Sequence, residues 1–253
     1  MQVLSVVIVC KNEAGIIGKT LQSLQGLTDD IIVYDNGSTD NTVEIIKRFD
    51  VHLYQGSWEG FGKTKNKATT LAKYDWVLSL DADEAIDDEL KKTLLTSPFD
   101  DNRMVYEIKF KNFLVNKWLR YGEWGGDKHI RVFNRQQVNW NNGAVHEKLL
   151  LPEGTKTNLL KGNILHQTAT DLGKYRSKLA TYAELNAKKY YGQGKKAGVI
   201  KKYAAAFFSF VQNYIFRAGF LDGKAGYVCA KMTAYYTFLK YARLKELNQR
   251  SGK

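Results

Sequence analysis

The sequence predicts an α/β fold with a mostly parallel central sheet, helices on both sheet faces, and a helical C-terminal extension. Three observations predict it. Short apolar runs alternate with stretches of helical spacing through the first hundred residues. Runs in that region end abruptly in polar, acid-rich segments: KNE, DNGSTDNT and DADE. From Asp171 onward the strand signal stops, and apolar residues recur at helical intervals to the end of the chain.

The elements follow in order. Residues 4–10 form a continuous apolar run, the signature of a strand covered on both faces. Ile16, Ile17, Thr20, Leu21 and Leu24 then repeat at helical spacing. Residues 31–34 read as a second strand, and Thr39 or Asp40 is placed to cap a helix carrying Val43, Ile45, Ile46 and Phe49. Residues 51–54 are a third strand candidate, 65–73 a helix, and 76–80 a fourth strand. Strands linked through helices in this order pair in parallel, and ligands bind beyond their carboxyl ends. That rule puts Lys11 to Glu13, Asp35 to Asp40 and Asp81 to Glu84 on one rim. Further strands are expected at 104–110, 130–133 and 159–166. Residues 112–128, rich in Trp, Gly and charge, have the character of an active-site loop. A boundary near 170 separates a catalytic domain, 1–170, from a helical extension, 171–253.

With 253 residues and 44% apolar content, the chain has enough material for a full core. Two distant cysteines, Cys10 and Cys229, give no disulfide framework, which fits a reducing compartment. The start, MQVLSVVIVCKNE, lacks the basic segment of a signal peptide and reads as a strand. The net charge of +12 is unevenly spread. Residues 1–150 hold 19 Lys and Arg against 21 Asp and Glu, whereas residues 151–253 hold 19 against 5. The basic half calls for an anionic partner: lipid, nucleic acid or an anionic substrate.

Chemistry concentrates after the second and fourth strands. In Asp35-Asn-Gly-Ser-Thr-Asp-Asn-Thr42, Gly37 permits a tight turn and Ser38, Thr39 and Asp40 favour a helix start. Asp35 can accept hydrogen bonds from a nucleobase or ribose; plain turn chemistry is the alternative. Asp81, Asp83 and Glu84 crowd the end of an apolar run, where like charges repel unless a cation lies among them. Their oxygens suit Mg2+ or Mn2+. The alternative is a solvated acidic turn ahead of the next helix, since Asp87, Asp88 and Glu89 follow.

Together, Ser5-Val-Val-Ile-Val-Cys-Lys-Asn-Glu13, DNGSTDNT and Leu80-Asp-Ala-Asp-Glu84 resemble the nucleotide-sugar half of inverting family 2 glycosyltransferases with the GT-A fold. The resemblance covers about the first 150 residues. WEGFGKTKNKA, DWVLSLDADE, AVHEKL and GFLDGKAGY further resemble the lipopolysaccharide-core glucosyltransferase branch. It implies that Asp35 reads the base of a UDP-type donor and that Lys11, Asn12 and Glu13 line the base pocket. It also implies that Asp81 and Asp83 hold ribose and a Mg2+ or Mn2+ ion on the diphosphate. The implied reaction moves a hexose, glucose from UDP-glucose, to a lipid-linked glycan such as lipopolysaccharide core. Another polysaccharide or a protein is the alternative acceptor. A base must take the acceptor proton for direct displacement. Many relatives carry Glu-Asp where this chain has His146-Glu147, so either residue is a candidate.

Other candidates are less specific. His166 closes an apolar run and is either a further metal ligand or structural. Lys63 and Lys65 lie in a segment that imitates a phosphate-binding loop, but the glycine required five residues before Gly62 is Ser57. They are either near phosphate or solvated. Arg131 either contacts the diphosphate or acceptor, or forms a surface ion pair.

In the tail, the apolar segment within 201–217 is about 14 residues long, short of the ~20 that span a bilayer. A second stripe, Val228, Met232, Tyr235, Tyr236 and Leu239, is amphipathic. Both stripes are expected to pack on the catalytic domain. The surrounding Lys and Arg suit peripheral contact with an anionic membrane at its cytoplasmic face. Two other function classes are disfavoured. A nicotinamide oxidoreductase needs G-x-G-x-x-G where this chain has Lys-Asn-Glu-Ala-Gly, and no nucleic-acid-reading motif is present.

Overall fold

The computed structural model describes residues 3–141 and 147–250. The chain divides into two compact units: one is built from the chain up to Phe110 with Lys128–His166, the other from Lys111–Asp127 with the chain from Gln167 onward.

The first unit is a layered α/β body. Its elements begin with β1 (Ser5–Cys10), α1 (Ile17–Leu24), β2 (Ile31–Asp35), α2 (Thr42–Ile46), β3 (His52–Gln55), α3 (Phe61–Thr70), β4 (Trp76–Asp81), β5 (Glu84–Ile86) and α4 (Asp88–Thr96). They continue with β6 (Met104–Leu114), which leads into the second unit, and then β8 (Lys128–Asn134), β9 (Asn139–Trp140), β10 (Leu149–Leu150) and β11 (Lys156–Ala169). Strand β7 (Lys117–Leu119) belongs to the second unit. The sheet order is β3-β2-β1-β4-β8-β6-β11-β5. Strands β3, β2, β1 and β4 pair in parallel. Antiparallel pairs β4–β8, β6–β8 and β11–β5 extend the sheet.

Continuous apolar runs form β1, β2 and β4 because both sheet faces are covered. Alternate side chains go to opposite sides. Val6, Ile8 and Cys10 join Ile17, Leu21 and Leu24 of α1 and Leu90 and Leu94 of α4 in one core. Val7, Ile32 and Tyr34 join Ala68 of α3 and Val77 in the other.

Three local expectations shift. The helix expected at 65–73 runs instead over Phe61–Thr70. Gly60, at φ 96, makes the turn that starts it early. Gly62 lets its first turn approach Asn141, since a Cβ there would lie 1.7 Å from the Asn141 carbonyl oxygen. Helix α2 starts after Asn41, one residue beyond the expected caps, while Asp40 still accepts from the Thr42 amide at 3.1 Å. Strand β11 is longer than 159–166 and crosses the start of α4 at Gly162, where a Cβ would lie 2.1 Å from the Leu90 amide nitrogen. There Asp87 caps α4 by accepting from Leu90 N at 3.0 Å, and it also accepts from Asn163 N at 2.9 Å.

The second unit gathers residues 111–127 and the C-terminal helices. Strand β7 pairs with the end of β6, and a 3-10 turn (Gly122–Trp124) follows. The helices are α5 (Leu172–Gly192), capped by Asp171, α6 (Val199–Val211) and α7 (Gly223–Arg250). A π turn (Gln212–Phe216) and a 3-10 turn (Gly219–Asp222) join α6 to α7. The core here is Leu114, Leu119, Trp124, Ala169 and Cys229, with Trp124 edge-on to Tyr175 at 5.6 Å. Helices α5 and α6 both pack along α7. In the stripe on α7, Val228 packs against this core and the Arg176 guanidinium lies 5.0 Å from the Tyr235 ring, while Tyr203 of α6 meets Phe238 beside the stripe. The expectation fails for α6: it has no buried residue, and its apolar face is turned outward. Cys10 and Cys229 are both free and buried. Among the described residues, no helix is long and apolar enough to cross a membrane.

Candidate active site

The parallel register builds the rim. Cys10 pairs with Asp35 and Val9 with Asp81, so the carboxyl ends of β1, β2 and β4 lie side by side. The loop after β1 is stitched to the loop after β2. Asn12, at φ 58, accepts from Thr39 N at 2.8 Å, and its own amide donates to Ser38 Oγ at 2.8 Å. The Glu13 amide donates to Thr42 Oγ1 at 2.8 Å. Lys11 and Asn12 are exposed on this wall, and Glu13 is half-buried.

Asp35 is fully buried at its base. Its carboxylate accepts from the amides of Gly37 at 3.2 Å and Ser38 at 3.1 Å, from the Ser38 hydroxyl, and from Gln55 Nε2 at 3.4 Å. The residue therefore organises its own turn. The neighbouring Asn36 is also buried, and its Oδ1 has no hydrogen-bond partner among the described residues. A buried, unsatisfied acceptor is costly and marks a place where a ligand hydroxyl or base N–H gains a bond.

Beside this wall, alternating charges form a chain. Lys65, buried on α3, places Nζ 2.9 Å from Asp81 Oδ1 and 3.1 Å from Glu147 Oε1. It also lies over the Trp140 ring at 4.7 Å. Arg131 on β8 forks onto Glu84, with Nε to Oε2 at 3.1 Å and Nη2 to Oε1 at 2.6 Å. Its Nη2 is also 3.5 Å from Asp81 Oδ2. Glu84 in turn accepts from the Asp81 amide at 3.1 Å. The β5–β11 register sets His166 opposite Glu84, and His166 Nε2 lies 3.5 Å from Asp83 Oδ2. Thr20 Oγ1 holds the Ala82 carbonyl between the two aspartates at 2.7 Å.

The electrostatics follow from this arrangement. Desolvation alone would raise the Asp81 pKa, but Lys65 and then Arg131 overcome it and hold the carboxyl well below the usual carboxylate range. Burial disfavours the charged form of Lys65, yet Asp81 and Glu147 more than offset it, and its pKa is raised. His166 behaves likewise: burial lowers its pKa, and the Asp83 hydrogen bond and nearby carboxylates raise it above the ordinary histidine value. The cluster is thus a set of charges already neutralised in pairs, opening where Asp81 and Asp83 are partly exposed.

Lys65, Asp81, Asp83, Glu84, Arg131, Glu147 and His166 come together in one cluster. Lys63 is exposed, on another face of α3. Arg131 does make an ion pair, but in a nearly dry setting where its side chain is 11% exposed and that of Glu84 is 1% exposed. His146 lies outside the described residues. Sequence reasoning missed Asn36 and Trp140. Asn36 sat within a motif already singled out, while nothing about Trp140 in Val138-Asn-Trp140 signalled contact with a lysine.

Among the described residues, no group of three or more His, Cys, Asp or Glu side chains is arranged to hold a metal ion. Asp83 and His166 form a two-donor pair. A hard divalent ion commonly takes one or two protein ligands and completes its shell with phosphate oxygens and water. The donor set fits an ion shared with a bound diphosphate.

Comparisons with known proteins bear on the family and the fold. Residues 5–167 match the family described as Glycosyl transferase family 2. A glycosyltransferase of Rickettsia prowazekii is 28% identical over 261 residues, covering 99% of this chain and 89% of that one. The lipopolysaccharide core biosynthesis glycosyltransferase LpsC of Rhizobium meliloti is 24% identical, covering 95% and 91%. Among solved structures, residues 1–349 of S. aureus TarS in complex with UDP align with a TM-score of 0.50 at 16% identity, covering 100% of this chain and 92% of that one.

Proposed function

The chain belongs to glycosyl transferase family 2, and from that premise we propose that it transfers a hexose, glucose from UDP-glucose, to a lipid-linked glycan of the lipopolysaccharide-core type, with inversion. The architecture is the α/β GT-A fold. The observation that carries the reading is Asp81, held between Lys65 and Arg131 at the end of β4, with the Asp83–His166 pair on one side and Glu147 on the other.

The roles follow from the positions. Lys11, Asn12, Glu13 and the Asp35 turn receive the uracil and ribose, with the open Asn36 Oδ1 as an added acceptor. Asp81 receives a ribose hydroxyl, while Lys65 and Arg131 fix its orientation and supply positive charge beside the diphosphate. Asp83 and His166 would hold Mg2+ or Mn2+. Such an ion, when bound, offsets the charge that grows on the departing diphosphate. Glu147 is the base that takes the acceptor hydroxyl proton as that oxygen attacks the anomeric carbon from the side opposite the diphosphate. Its contact with Lys65, at 3.1 Å, orients the carboxylate. A UDP-bound structural neighbour and a lipopolysaccharide-core relative support donor and acceptor classes respectively. An acceptor of that kind puts the enzyme at the cytoplasmic face of the membrane.

A thermal-shift panel of nucleotide sugars with and without Mn2+ tests the reading, because a ligand bound only by the folded form raises its melting temperature. UDP-glucose with Mn2+ is expected to give the largest shift. Asp83→Ala should abolish transfer and the Mn2+-dependent part of that shift while the apo melting temperature stays close to wild type. Full transfer by this variant would overturn the assignment.

A further inference from the structure

The helical unit carries a feature that the transfer chemistry does not use. On α6, Ile200, Phe207 and Phe208 fall at spacings that share one helical face. That face is turned away from α7: Ile200 is 83% exposed, Phe207 72% and Phe208 61%. The opposite face packs inward, with Phe210 against Tyr227 and the Ser209 hydroxyl 3.4 Å from that of Thr237. The outward strip continues past the helix end through Phe216, 75% exposed, and then Phe220 and Leu221. An apolar patch of this extent on a protein surface marks a binding surface.

The turn that presents the strip is firmly built. A Cβ on Gly219 would meet the Asn213 carbonyl oxygen at 2.5 Å, and one on Gly226 would meet the Gly219 carbonyl oxygen at 1.9 Å, so these backbones are in close contact. Asp222 accepts from the amides of both Arg120 and Tyr121 at 2.9 Å. Phe216, Phe220 and Leu221 are therefore held outward by a packed turn.

Charge identifies the occupant. Residues 185–221 contain seven Lys or Arg and no Asp or Glu. Lys195, Lys196, Lys201 and Arg217 are exposed around the strip. A second copy of this chain seated on the strip would bring two such basic surfaces together, which like-charge repulsion opposes. An apolar strip rimmed by basic side chains matches the boundary between acyl chains and anionic headgroups. At 1.5 Å per residue, α6 is roughly 20 Å long, too short to cross ~30 Å of hydrocarbon, so it lies in the plane of the interface.

We propose that α6 and the turn after it form a monotopic attachment to anionic lipid bilayers, with Ile200, Phe207, Phe208, Phe216, Phe220 and Leu221 entering the acyl boundary and the flanking lysines remaining among the headgroups. This surface is independent of donor chemistry.

The test uses the full chain without any nucleotide sugar, so its outcome is separate from that of the transferase reading. The protein is pelleted with phosphatidylcholine vesicles, with and without phosphatidylglycerol, at low and high salt. Binding is expected to the anionic vesicles and to weaken with salt. Phe207→Ser and Phe216→Ser should each reduce partitioning about tenfold, the consequence of removing one phenyl ring from the acyl boundary. Their circular dichroism should be unchanged, because both side chains are exposed. Phe207→Trp should shift its emission to the blue on vesicle addition. The proposal is overturned by absence of vesicle binding, or by binding that neither serine substitution alters. It is equally overturned by a dimer in sedimentation that these substitutions dissociate and that takes up no vesicles.

Discussion

Replacing Arg131 with methionine should be the most damaging single change near the site that touches no core methyl group. The guanidinium makes two hydrogen bonds to Glu84, at 2.6 and 3.1 Å, and both side chains are withdrawn from water. Removing one partner of a buried pair leaves the other charge uncompensated and costs about 3–5 kcal/mol. For a chain of this size, 1 kcal/mol corresponds to about 2–4 °C in melting temperature, so Arg131→Met should lower it by about 6–20 °C. The loss should be repaired by a second change. Arg131→Met with Glu84→Leu replaces the pair by apolar groups, an exchange that is often neutral or stabilising. The double variant should melt several degrees above the single one, yet transfer poorly, because Asp81 loses the cation 3.5 Å from Oδ2 and the carboxylate that receives its amide. Tryptophan fluorescence during urea and thermal unfolding reads the stability, and UDP release reads the activity. If the two substitutions destabilise additively, with no rescue, the pair is not coupled as its geometry requires, and the reasoning fails.

Other outcomes follow from the same structure. With Glu147 as the proposed base, Glu147→Gln should lower kcat about 10²–10⁴-fold, the usual range for a lost general base, while the UDP affinity measured by calorimetry changes little. Gly162→Ala should lower the melting temperature by several degrees and slow nothing specific to transfer, since a Cβ there would strike the Leu90 amide and the position has φ 95. Neither thiol should react with iodoacetamide at pH 8 in the native protein. Burial, reinforced by Glu123 and Asp222, pushes the Cys229 thiol up to about 12, and burial beside Asp35 raises that of Cys10 further. Rapid labelling of either cysteine would show that the cores around them open.

Much of the first unit was legible because its local and global preferences agree. A strand covered on both faces must be apolar throughout, and β1, β2 and β4 read that way. Where the local pattern was ambiguous, the boundaries moved. The helix α3 begins at Phe61 because Gly60 makes the turn, a choice that no apolar repeat in WEGFGKTKNKA announces. The tail shows the opposite failure. The stripe on α6 has the periodicity of a packed helix, but periodicity says which residues share a face and nothing about what covers it.

The sequence by itself determined the parallel strand-helix alternation, the rim of carboxylates at the ends of β2 and β4, and the basic helical tail. Each of these depends on residues near one another in the chain. Tertiary structure alone decided how the charges pair. Lys65 reaches Asp81 and Glu147, Arg131 reaches Glu84, and His166 reaches Asp83, across separations of 16 to 83 residues in sequence. Those partners are set by sheet register and by the docking of α3 on the sheet. Coulomb attraction and desolvation act through space, so a lysine that reads as solvated along the chain becomes the buried centre of the site once the sheet is assembled.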